Sequence, residues 1–383
     1  MMLHFAREEY DTRLGRLTAR MREDKLDAML LFAQESMYWL TGYDSFGYCF
    51  FQTLVVKANG EMALLTRSPD LRQARLTSII ENIVIWVDRT NADPSMDLKN
   101  LLSDMDLLGC RIGVEYDTHG MTGRTARLVD NQLLSFGELI DASSLVSDLR
   151  LIKSPAEMAH IQRAAELADD ALDAALPLIR ADADEAAILS AMQAAVLKGG
   201  GDYPAHGFIL GSGEEALLCR YTSSRRRLGA RDQLTLEWAG VHAHYHAAMR
   251  RTVLIGEPTS RHLELYEAAL ATLQAMEGKL RPGQTFAEIF EIQARMLDDS
   301  GLTRHRLNAC GYSLGARFAP TWMEPQMFMA GNSQPIAPNM ALFLHVILLD
   351  SDRNAAMTLG QTYLTTEEAP KALSRHSLDL LLR

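Results

Sequence analysis

The sequence has little of what would assign it to a class at once. Its four cysteines, Cys49, Cys110, Cys219 and Cys310, are widely scattered and form no C-x-x-C pair, so neither a disulfide scaffold nor a zinc-thiolate site is indicated. No run approaches the ~18 consecutive apolar residues of a membrane span. The N-terminal MMLHFAREEYDTRL is charged and helix-like, without the apolar centre of a signal peptide. A membrane partner is therefore not expected, and a cytoplasmic location is. Positive charge is in deficit: 38 Lys and Arg against 49 Asp and Glu give a net charge of −11, which argues against nucleic acid as a partner. The run Arg225-Arg226-Arg227 is read as a solvated turn between two strands.

What remains is the composition of an ordinary globular protein, with 48% hydrophobic and 23% charged residues. A chain of 383 residues is too long for one compact core, and two domains are expected. Residues 1–150 alternate helix-like and strand-like segments: a helical EEYDTRLGRLTARMRED, a short buried strand in DAMLLFA, two strands joined by Asn-Gly in QTLVVKANGEMALLT, and β-like IENIVIWV and CRIGVEYD. These predict an α/β domain. At SPAEMAHIQRAAELADDALDAALPLI the character changes. Ser154 with Glu157 three residues on forms a capping-box signature ahead of a long alanine-rich helix. Residues 151–383 then add a further helix in DEAAILSAMQAAVLKGG, strands in PAHGFILGSG, QLTLEWAG and YHAAMRRTVLIG, and two helices around 260–300, which predicts an α+β domain.

The order of these segments resembles a known family. SDLRLIKSPAEMAHIQRAAELADDAL is similar to the linker helix that opens the catalytic domain of the creatinase/prolidase (peptidase M24) family, and WLTGYDSF resembles its N-terminal domain. The blocks 211-GSG-213, 251-RT-252 and 311-GYSLG-315 follow in the family's order. The resemblance spans nearly the whole chain and implies the pita-bread fold, a small-molecule substrate and a homodimer. It also implies a metal question. Metal-dependent members hold two divalent ions through two aspartates, a histidine and two glutamates, and those positions fall on Glu237, Ala248, Tyr312, His345 and Gln361. Hard divalent ions need anionic oxygens, and a two-ion site needs bridging carboxylates. One carboxylate remains of four, so no metal and no other cofactor is expected. The catalytic histidine and glutamates of creatinase fall on Arg220, Arg250 and Gln361. The blocks WLTGYD, CRYTS and GYSLG resemble the creatinase/ectoine hydrolase-like branch more than the peptidases, and LTLEWAG resembles the strand that carries the ectoine hydrolase glutamate.

Each candidate has a chemical and a structural reading. Glu237 lies in an apolar strand, where a carboxylate is costly unless hydrogen-bonded or used. It is read as nucleophile or general base, with pairing to Arg250 or Arg251 as the alternative. His242, His244 and His246 alternate, and on a continuous strand they would share one face with Ala248. A single-ion site with His345 is one reading; an acid/base role for His244 or His246 is preferred. Arg220 either grips a substrate carboxylate through its planar fork or pairs with Glu237. Tyr312 and Gln361 supply neutral hydrogen-bonding groups to a metal-free pocket. His206 is placed near its mouth, and Trp322 beside Ala319, where the peptidases keep a second histidine. Trp39, Tyr43 and Phe46 are read mainly as packing. The expected function is metal-independent hydrolysis of a C–N bond in a small zwitterionic compound. The alternatives are an Xaa-Pro peptidase with a rebuilt metal site and a pita-bread protein that only binds.

Overall fold

The computed structural model describes residues 3–222 and 225–383 and divides into two compact units, Met1–Arg150 and Leu151–Arg383. In the first unit the strands are β1 (Ala28–Leu31), β2 (Thr53–Lys57), β3 (Met62–Arg67), β4 (Asn82–Trp86), β5 (Arg111–Val114) and β6 (Glu138–Asp141). They form one mixed sheet in the order β4-β3-β2-β1-β5-β6. The Asn-Gly turn joins β2 to β3, with Gly60 at φ +93°, a conformation that glycine adopts without penalty. Alternate strand residues feed two apolar clusters, one around Leu30, Val55, Leu65 and Val114 and the other around Met29, Leu31, Leu54 and Leu64, as period-2 side-chain alternation requires. Trp39 and Tyr43 are buried in the second of these, whereas Phe46 is 77% exposed.

The second unit opens with the helix Pro155–Ala175, whose capping box closes between Ser154 and Glu157 in both directions. Its strands are β7 (Ile209–Ser212), β8 (Asp232–His242), β9 (Tyr245–Ile255), β10 (Ala309–Ser313), β11 (Met327–Met329), β12 (Ala341–Asp350) and β13 (Ala355–Leu364). They lie in the order β11-β10-β12-β13-β9-β8-β7, with antiparallel pairing throughout. One face of this sheet is covered by helices. Leu344, Val346, Leu348 and Leu359 pack there with Leu265, Leu273, Phe286 and Ile289 of the helices Ser260–Glu277 and Phe286–Asp299. Trp238, fully buried, donates its indole N–H to the Ala168 carbonyl of the first helix at 2.8 Å. Burial of such a side chain contributes roughly 1.5–3 kcal/mol. The helix approaches β8 so closely at Gly240 that a Cβ there would lie 1.9 Å from the Ala164 oxygen.

Since β8 and β9 are buried on both faces, the helix-covered face leaves the other face for a different use. On that opposite face lie Glu237, Ala239, Ala248 and Arg250. No helix among the described residues is long and apolar enough to cross a membrane. Of the arginine run, Arg226 is not a free surface group: its guanidinium bonds Asp232 at 2.5 Å and Ser212 at 2.6 Å.

Candidate active site

Register builds the site. Ile209 pairs with Glu237, Glu237 with Arg250, Arg250 with Gly360, and Gly360 with His345. Directly opposed residues project to the same face, so these positions form one row across β7, β8, β9, β13 and β12. Four of the five line a pocket of about 140 Å³, together with His206, Cys219, Arg220, Leu307, Ala309, Tyr312, Met323, Met327 and Ile347. A volume near 150 Å³ admits a single small ring.

Glu237 and Arg250, 8% and 3% exposed at their side chains, form a buried ion pair. The Glu237 oxygen not facing the guanidinium lies 3.4 Å from the Tyr312 hydroxyl. That hydroxyl in turn accepts the Trp322 indole N–H at 2.9 Å. Burial and the neighbouring Glu237 carboxylate push the Tyr312 phenol well above its ordinary range, so Tyr312 remains a neutral donor. His206 stacks on Trp322 with 3.4 Å between ring centroids. Burial lowers its imidazole, and the hydrogen bond to the Gly207 carbonyl, then Glu237, partly offset that. Burial, then the Arg250 charge, drives His345 down to about 3, and it is a neutral imidazole at pH 7. Arg220 is exposed at the pocket edge and has no hydrogen bond or ion pair among the described residues. Glu237 therefore has Arg250, not Arg220, as its partner. Ser223 of the CRYTS block lies outside the described residues.

Three sequence-based expectations need correction. First, the histidines of 242–246 do not share a face. β8 ends at His242 and β9 begins at Tyr245, and the two-residue turn Ala243-His244 has φ values of 49° and 63°, the signature of a type I′ hairpin. The turn separates them. His242 lies with its Nδ1 2.9 Å from that of His160, and His244 stacks on Phe318 at 4.2 Å. His246 is fully buried, its Nε2 accepting the Ala205 amide at 3.0 Å. Second, neither His244 nor His246 lines the pocket, and burial takes His246 to about 3. His206 and His345 are the pocket histidines instead. Third, Gln361 pairs with Met249 and Leu344 and so faces the helices, where it accepts from Arg251 at 3.3 Å and donates to Tyr363 at 3.0 Å. The β13 residue on the pocket face is Gly360.

The donor set does not fit a divalent metal pair. Among the described residues no group of three His, Cys, Asp or Glu side chains is placed to hold an ion. The positions around Glu237 are Ala248, Arg250, Tyr312, His345 and Gly360, and the carboxylate itself is held by a guanidinium. A cation beside Arg250 would meet a like charge where it needs anionic oxygens.

The chain as a whole is similar to known proteins. Ectoine hydrolase from Halomonas elongata is 27% identical over 401 residues, covering 100% of this chain and 99% of that protein. Xaa-Pro dipeptidase from Pyrococcus furiosus is 26% identical over 171 residues, 45% of this chain and 49% of that one. The solved dipeptidase PepE from Mycobacterium ulcerans superposes with a TM-score of 0.86 at 20% identity, over 99% of both chains. That likeness carries the fold: a pita-bread unit with an N-terminal α/β unit. The model of metallopeptidase family M24 matches residues 159–367, and that of the creatinase/prolidase N-terminal domain matches residues 13–152. With more than half of its length matched by the first of these, the chain belongs to the metallopeptidase family M24.

Proposed function

We propose that this M24-family hydrolase cleaves a C–N bond of a small zwitterionic compound, of the cyclic amidine, amide or guanidino acid type, with its own side chains and no metal ion. The observation that carries the reading is the Glu237–Arg250 ion pair in a pocket sized for one small ring. It stands where a metal-dependent relative would need a cluster of carboxylates. The similarity to ectoine hydrolase along the full chain supports the same substrate class.

In this mechanism Glu237 attacks the electrophilic carbon or takes a proton from the attacking water. A cationic amidinium or guanidinium is drawn to the same carboxylate and is already polarised for attack, the task a Lewis acid performs elsewhere. His206, neutral and on the pocket wall, can accept a proton and pass it to the leaving nitrogen. Tyr312 holds the Glu237 carboxylate in position. Arg220, exposed at the pocket edge, draws the substrate's anionic end inward.

The test is a metal-quantified activity screen with ectoine, creatine, related cyclic amidines and Xaa-Pro dipeptides. Hydrolysis of a small amidine or amide that survives chelation is expected, and Glu237→Gln should lower kcat by roughly a thousandfold or more, as loss of a nucleophile or base does. Xaa-Pro cleavage that depends on a stoichiometric metal would overturn the reading. So would tight binding of the small compounds without turnover, or a fully active Glu237→Gln enzyme.

A further inference from the structure

Three nitrogens in the pocket row have no hydrogen-bond partner among the described residues: Arg250 Nε, Arg250 Nη2 and His345 Nδ1. Both side chains are buried, at 2% and 7% exposure, and both line the pocket. Buried donors left unpaired are costly, more so when charged, and such groups in a native fold call for an occupant. The ion pair with Glu237 uses Nη1. What remains of the guanidinium is its Nε–Nη2 edge, the side-on fork that matches the two oxygens of a carboxylate. Arg250 and His345 flank Gly360 in the strand row. Glycine there keeps the space between them clear, since a Cβ would come within 2.9 Å of His345 Cβ.

We infer that Arg250 and His345 form a carboxylate-binding subsite inside the pocket, the Nε–Nη2 fork gripping the two oxygens and His345 Nδ1–H adding a third donor. Arg250 thereby serves two anions at once, Glu237 on one side and the ligand on the other. Because Glu237 remains beside it for a cationic nitrogen, the ligand class is narrow: a carboxylate and a cationic amidine, guanidine or amine separated by one or two carbons. A neutral amide, or a substrate whose carboxylate is remote, leaves the fork unpaired. In this arrangement Arg220 guides the anion to the mouth and Arg250 holds it. The inference rests on the pocket being the substrate site, but it needs no turnover for its test.

The probe is acetate, titrated at constant ionic strength against chloride, with the thermal midpoint of the full chain and titration calorimetry as readouts. The unmodified protein should bind acetate saturably and be protected by it, with no such effect from acetamide. Arg250→Lys keeps a cation for Glu237 but lacks the fork, and acetate affinity should fall roughly tenfold or more, the value of one charge-assisted hydrogen bond. His345→Phe removes the third donor and should weaken acetate several-fold. Acetate binding no better than chloride in the unmodified protein overturns the subsite. So does equal affinity in Arg250→Lys, or a loss seen in Arg220→Ala alone. Hydrolysis of a compound without a carboxylate at full efficiency would also overturn it while leaving the hydrolase reading intact. A protein that binds acetate but turns nothing over would do the reverse.

Discussion

Glu237→Gln, Arg250→Met and the double variant form a cycle whose outcome follows from the burial of one ion pair. With side chains 8% and 3% exposed, neither charge can be rehydrated when its partner is removed. At an effective dielectric near 20 the attraction is about 4 kcal/mol at contact, and desolvation of the two groups offsets much of it, so the intact pair is close to neutral for stability. Removing one partner leaves the other charge buried alone, which costs about 3–5 kcal/mol. Each single variant should therefore lower stability by about that amount. For a unit of this size that is a fall of roughly 6–20 °C in the midpoint of the unfolding transition that contains the sheet. The double variant removes both charges and should recover most of the loss, so that its cost falls short of the sum of the two single losses by roughly 5 kcal/mol or more, at the upper end of what close charge pairs show. Urea unfolding followed by near-UV circular dichroism, with the two units' transitions separated, measures all four corners. Single variants within about 0.5 kcal/mol of the unmodified protein, or a double variant equal to the sum of the singles, would refute the claim that this is a buried and mutually dependent pair.

Acid should destabilise the second unit. His246 and His345 are held near 3 in the folded protein against about 6.5 in the unfolded chain. The unfolded state thus binds protons that the native state refuses. Stability is complete above about 6.5 and falls as the pH drops towards 3, by about 1.4 kcal/mol per pH unit for each histidine. Unfolding free energies at pH 7, 6 and 5 test this, and His246→Asn should roughly halve the slope attributable to the pair. His246→Asn should also leave kcat within a few-fold, since the ring does not reach the pocket; a loss of several orders of magnitude with the fold intact would restore it as a catalytic group. Gly360→Ala should be destabilised by about 1–3 kcal/mol through overpacking, because its Cβ meets His345 Cβ and the Phe343 ring at 2.9 Å. The same variant should weaken acetate binding, and an unchanged affinity would show that the gap in the row is not needed.

Much of the architecture was legible because it is written in local patterns. The Asn-Gly turn between β2 and β3 and the Ser154–Glu157 capping box depend on residues a few positions apart, and each appears where its sequence signature lies. Glu237 stood out as a carboxylate among Leu234, Leu236 and Trp238. The histidines misled for a physical reason. Alternation at 242, 244 and 246 reads as one strand face only if the strand continues. The chain instead turns at Ala243-His244 with two non-glycine residues at positive φ, a conformation without the Asn-Gly or Gly signature that would announce it. Gln361 misled by a single residue, and in a strand one residue is the difference between the two faces.

Local residue patterns were enough to give the two-part organisation, the nature of the strands that carry the site, and the loss of carboxylates from a family pattern that depends on them. They could not determine who faces whom. Ile209, Glu237, Arg250, Gly360 and His345 are spread over more than a hundred residues and become one row only through the register of four strand pairs. Register is fixed by which face each strand buries against the helices, a property of the packed sheet. That packing brought Glu237 against Arg250 and left the guanidinium's second edge buried without a partner among the described residues.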